Sequence, residues 1–366
     1  MPGTLSLRAL NRALLERQLL LRRADMTPLA AVEHLVGLQA QAPFPPYYGL
    51  WSRLSGFRPD DLSSLILDRR VVRIALMRGT IHLVSAQDCL ALRPALQSVL
   101  ERALRANFGR QLTDVDRAEL ARAGRALVED RPMTFTELGS ALKSRWPQHP
   151  PNALAQGVRA LVPLVQVPPR AVWGQAGQAA HTSAEAWLGR PLAASASPDQ
   201  LVLRYLAAFG PATVADAQAW SGLTGLGEVV GRLGPKLRAF RDEQGRELFD
   251  LPGAPRPDPD TPAPVRLVAE FDNLLLSHGD RSRVISEPDR QRLYTKNGIF
   301  PGTVLVDGFV RGMWRAALAP RVATLTIELF RETGRDREAV AAEGERLLEF
   351  AAPGTPGREV RFGPIA

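Results

Sequence analysis

Apolar positions recur at helical spacing through the start of the chain, and then the period changes. Thr27 is a helix-capping residue with Pro28 behind it, and Leu29, Val32, Leu35 and Val36 follow on one face until Gly37 and the prolines Pro43, Pro45 and Pro46 stop the helix. Leu5–Arg23, Tyr47–Leu54 and Pro59–Leu67 read as helices by the same test. Val71–Leu76 and Thr80–Val84 are then two apolar runs around Met77-Arg78-Gly79, which predicts a hairpin. Helices followed by a short hairpin make a winged helix-turn-helix.

This order recurs twice. Asp116–Glu129, a helix capped at Thr134 and Asn152–Val162 precede the strand-like Leu164–Trp173. Ser197–Phe209, Thr213–Trp220 and Gly225–Leu233 precede two short strands around Gly245. Leu251–Pro264 carries six prolines and breaks the chain. Beyond it the character turns to α/β: strand-like Val265–Ala269, an Asp307-Gly308 hairpin signal inside Val304–Val310, strand Thr324–Phe330 and a final helix over Arg335–Phe350. The expected architecture is mainly α with an α+β C-terminal part. It is read as tandem winged helix-turn-helix units over 1–112, 113–194 and 195–255, with a C-terminal α/β domain over 256–366.

Composition narrows the class. The 366 residues, 45% hydrophobic and 23% charged, suit a globular protein of several domains, and no apolar run spans a bilayer. No membrane association is expected, and a cytoplasmic monomer is. One cysteine excludes an internal disulfide framework and cysteine-based zinc clusters. The net charge is +8, and only three of the 46 basic residues are lysine. GC-rich coding explains part of that arginine bias. Arginine also forks onto phosphate and guanine edges, so nucleic acid leads as a partner class.

Candidate chemistry concentrates at Gln39-Ala40-Gln41, where the apolar helix runs out. In an extended segment, residues two apart point to one side, so both carboxamides could converge on one water or ligand. Alone, such a pair is more often solvated surface at a helix end or a partner of the local backbone. No phosphate loop or nucleophile elbow is present, and the five histidines have no metal-ligand spacing, so neither metal nor cofactor is expected. Strand alternation around Ile81 and Leu83 would turn His82 out toward a groove, though an interior place fits equally well. His278-Gly279-Asp280-Arg281-Ser282-Arg283 reads as a basic tip, either a solvated turn or a finger that enters a groove.

Leu38-Gln39-Ala40-Gln41, Met77-Arg78-Gly79-Thr80-Ile81-His82-Leu83-Val84, Glu270-Phe271-Asp272-Asn273 through Asp280-Arg281, Gly298-Ile299-Phe300-Pro301, Val306-Asp307-Gly308 and Gly312-x-Trp314-Arg315 together resemble the AlkZ/YcaQ type of winged-helix DNA glycosylases. The resemblance runs in order over nearly the whole chain. It implies tandem winged helices forming a C-shaped basic cleft around double-stranded DNA, and excision of alkylated bases, notably N7-alkylated guanine and interstrand crosslinks made by genotoxic natural products. The family signature is glutamine, an aliphatic residue, then glutamine or aspartate. The two-glutamine form here resembles the antibiotic self-resistance branch. Gln39 and Gln41 are then the expected catalytic residues, and Arg78, His82, His278, Arg281 and Arg283 the expected DNA contacts. No lysine lies near the motif in sequence, which favours hydrolysis over Schiff-base lyase chemistry. The competing expectation is a non-catalytic winged-helix DNA-binding regulator, which abasic-site formation would distinguish.

Overall fold

The computed structural model describes residues 3–194, 197–293, 301–331 and 336–364. The Gly298–Phe300 part of the sequence motif and the expected helix start at Arg335 lie outside the described residues.

The helix predicted after Thr27 spans Pro28–His34, with the Thr27 hydroxyl accepting from the Ala30 N–H at 3.2 Å. It ends in a double bond pattern, Val36 N–H to Glu33 O and Gly37 N–H to Val32 O, with Val36 at φ 55° and Gly37 at φ 88°. The left-handed place one past the cap usually goes to glycine. A β-branched valine there is strained. Gly37 has no alternative, because a Cβ would meet Val84 Cγ1 at 2.6 Å and Leu83 O at 3.0 Å. The turn lays the next two residues down as a strand.

In chain order the strands are β1 (Thr4–Leu5), β2 (Leu38–Gln39), β3 (Val71–Ala75), β4 (Ile81–Ser85), β5 (Leu164–Gln166), β6 (His181–Ser183), β7 (Arg238–Asp242), β8 (Glu247–Asp250), β9 (Arg266–Val268), β10 (Gly302–Val306), β11 (Phe309–Leu318), β12 (Val322–Leu329) and β13 (Gly357–Phe362). They form three sheets, ordered β2-β4-β3-β5-β6, β1-β7-β8 and β13-β12-β11-β10-β9. The hairpin predicted around Met77–Gly79 is β3–β4. It shares one sheet with the strand-like run after Leu161, since Arg73 and Ile74 pair with Gln166 and Val165.

That central sheet is covered on both faces. Val72, Ile74, Val84 and Val165 enter one apolar core, while Leu38, Val71, Ala75, Ile81 and Leu83 enter another. Every residue of β3 and β4 is therefore buried. A two-sided sheet has no solvent face to which alternation could send a polar residue.

Candidate active site

Gln39 ends β2 and pairs with His82 on β4, and Ala40 N–H continues the ladder to Ile81 O at 2.8 Å. Gln39 is buried and Gln41 is exposed. Their side chains are fixed by neighbouring segments of one hairpin. Arg78 Nη2 donates to Gln39 Oε1 at 2.6 Å, and the Ile81 backbone N–H donates to Gln41 Oε1 at 3.2 Å. Both donors demand oxygen, so the amide orientations follow from the network. Among the described residues each oxygen keeps a second lone pair, and each nitrogen keeps its two N–H groups for a water or substrate.

Arg78 is the hub of this arrangement. Its Nη2 also reaches Asn273 Oδ1 at 3.1 Å, and its Nη1 donates to Trp220 O at 2.6 Å. Asn273 in turn donates to Gly37 O at 3.4 Å. The segment carrying Asn273 is held by a buried, two-bonded pair between Arg53 and Asp272, both bonds 2.8 Å. Three distant stretches of sequence thus meet at the guanidinium of a fourth. Arg78 and Phe271 sit at φ 57° and Val36 at φ 55°, so three of the seven left-handed non-glycine residues among those described are Arg78 itself or lie within three residues of Gln39 or Asn273. Strained backbone of this kind concentrates at working sites.

Among the described residues no carboxylate bonds either glutamine, and no three His, Cys, Asp or Glu side chains come together as a metal site needs. The chemistry open to the pair is that of neutral dipoles: orienting a water and favouring a charge that develops nearby.

The expected DNA contacts divide sharply. His82 is fully buried; Nδ1–H donates to Thr80 O at 3.1 Å, and burial next to Arg78 lowers its pKa to about 3. It lies on the interior side of a doubly covered sheet and does not face a groove. His278 is buried too, its Nε2 bonded to Phe209 O at 3.1 Å and its Nδ1 to the Ser277 hydroxyl at 3.0 Å. Arg283 is likewise inside, donating to Pro211 O at 2.8 Å. Residues 278–283 are therefore a packed turn. Asp280 is tied to Arg246 at 2.7 Å, and Gly279 N–H to Asp216 at 2.9 Å, so the finger reading does not hold for His278 and Arg283. Arg281 and Arg78 keep part of their surface, and Arg281 lies near enough to Arg78 to lower its pKa.

Sequence reasoning missed Asn273 as a neighbour of the glutamines. The signal was present, since Glu270–Asn273 belongs to the family pattern, but nothing local tells which of its residues turns toward a segment 230 positions away.

No curated protein matches the chain. Among solved structures, the Streptomyces sahachiroi DNA glycosylase AlkZ matches with a TM-score of 0.79 at 20% identity, over 98% of this chain and 100% of that one. The family model for DNA glycosylase AlkZ-like proteins matches residues 32–350, a span that begins just before Gln39 and takes in Arg78 and Asn273. The chain belongs to the AlkZ-like family of DNA glycosylases.

Proposed function

We propose that this DNA glycosylase hydrolyses the N-glycosidic bond of N7-alkylated guanine in duplex DNA, including bulky natural-product adducts and interstrand crosslinks, in repair and antibiotic self-resistance. The observation that carries the reading is the glutamine pair itself: two neutral carboxamides held by Arg78 and a backbone N–H, with no carboxylate bonded to either among the described residues. N7-alkylguanine is already cationic and leaves as a neutral base, so the positive charge moves to the sugar in the transition state. Such a substrate needs a positioned water and well-aimed dipoles more than a strong acid or base. An unalkylated purine would need protonation, which two carboxamides do not supply.

Bulky and crosslinked lesions stay attached to their adduct or to the opposite strand, and cannot be turned through a half-circle into a snug pocket. The helix-then-hairpin stretches are accordingly read as winged helices arranged in an open, C-shaped cleft that reaches the sugar edge of an unflipped nucleotide. Gln39 and Gln41 are the catalytic residues of this reading, with Gln41, the exposed one, nearer the water.

The test is direct. Duplex DNA carrying one N7-methylguanine, and a second duplex carrying a bulky N7 adduct, are incubated with the protein and then with hydroxide. Release of the modified base and a strand break at that position are expected. Intact strands on both duplexes would overturn the substrate assignment.

A further inference from the structure

We propose that Arg78 is a positioning residue of excision, fixing the Gln39 carboxamide with its oxygen turned inward so that Gln39 offers N–H donors to the substrate while Gln41 supplies the acceptor. The inference rests on the catalytic reading of the glutamines and adds a division of labour between them.

Three observations converge. The first is the bonding: among the described residues three of its five guanidinium N–H groups are used, on Trp220 O, Gln39 Oε1 and Asn273 Oδ1, every acceptor neutral. The second is the backbone. Arg78 sits at φ 57° at the hairpin turn, and Gly222 packs beneath it so closely that a Cβ there would stand 3.2 Å from Arg78 N and Cα. The residue is clamped from below while its side chain is clamped at three points. The third is the asymmetry of the two amides. A charge-assisted 2.6 Å bond polarises Gln39, weakening its oxygen as an acceptor and strengthening its N–H groups as donors, whereas Gln41 receives only a neutral backbone N–H at 3.2 Å. Among the described residues Gln39 Nε2 has no protein partner. Burial and the nearby Arg281 lower the Arg78 pKa to about 10, which leaves it charged at neutral pH.

The alternative role, a phosphate contact, makes opposite predictions. Single-turnover excision of N7-methylguanine and equilibrium duplex binding are measured for wild type, R78A, R78K, Q39E and the R78A/Q39A double variant. Positioning predicts that R78A excises about 100-fold more slowly with duplex affinity little changed, that R78K recovers part of the rate, and that the double variant is no slower than the slower single one. Q39E should keep its fold, its carboxylate paired with Arg78, and lose excision because the N–H donors are gone. Near wild-type excision by R78A, with weaker binding and a salt slope flatter by about one, would make Arg78 a phosphate contact and overturn the proposal. So would near wild-type excision by Q39E, a variant that tests the claim even if R78A fails to fold. A readout independent of activity is the side-chain amide resonance of Gln39, identified by its disappearance in Q39A. It should move toward the position of an unstructured glutamine in R78A, and only part of the way in R78K. If wild type releases no N7-alkylguanine, the substrate reading fails, and this resonance still decides whether Arg78 holds Gln39; an unmoved signal overturns it.

Discussion

At the residue scale the site is built from dipoles held by donors. Gln39→Ala and Gln41→Ala each remove one oriented carboxamide, and the loss of one such group lowers a rate by about two to three powers of ten. Neither side chain is charged, so duplex affinity should stay within a few-fold of wild type. Single-turnover excision read beside a binding titration checks both halves. The pH profile is informative as well. His82, across the ladder from Gln39, is held neutral above about pH 3 by burial and Arg78, so it contributes no protonation step near neutrality. Excision should be flat between pH 5 and 8. A limb with a midpoint near 6.5 would show a histidine titrating in the reaction.

At the element scale, the short-range signals were legible and the long-range ones were not. Thr27, Pro28 and Gly37 mark their helix because capping, a preset φ and a left-handed turn are local requirements. The β3–β4 hairpin was equally visible from its two apolar runs. His82 was not, because alternation predicts an outward face only where the sheet has one, and this sheet gains a second cover from helices and strands far along the chain. The 278–283 turn misled for a related reason: its charges are answered from outside the segment, by Arg246, Asp216 and the carbonyls of Phe209 and Pro211. The pair Gln39 and Gln41 was legible as a pattern, but the guanidinium that distinguishes its members was not. Element geometry also gives a prediction. Gly37→Ala puts a Cβ into Val84 at φ 88°, which should cost about 1–3 kcal/mol in chemical denaturation and disturb Gln39 two residues on. Unchanged stability would mean that this turn is looser than its contacts indicate.

At the scale of the whole molecule, the arginine excess is partly an internal matter. Arg12, Arg17, Arg53 and Arg93 are among the largest fully buried side chains, and Arg17 meets Asp250 in a two-bonded pair at 2.7 and 2.8 Å. The count of 46 basic residues therefore overstates how many the surface can offer to phosphates. Three buried histidines contribute to the acid sensitivity between neutrality and pH 4. Burial lowers His82 and His278 to about 3 and His181 to about 4, against an ordinary 6.5 in the unfolded chain. Between those values the unfolded chain binds more protons, so stability falls as pH drops from about 6.5 toward 4 and is fully present above that window. Melting temperatures across pH 4 to 8 should show this slope, and His181→Gln should flatten it. A melting temperature constant down to pH 4 would contradict the buried, neutral state of these rings.

The central claim is that this fold delivers two glutamines to a glycosidic bond that is ready to break. It is tested most directly by single-turnover release of N7-methylguanine from a singly modified duplex, measured side by side for wild type and the Q39A/Q41A double variant at saturating protein. The account predicts an alkali-labile site with wild type, and a double variant that binds the duplex as well but excises at a rate little below that of the poorer single variant. Excision by the double variant near the wild-type rate would place the chemistry elsewhere in the molecule.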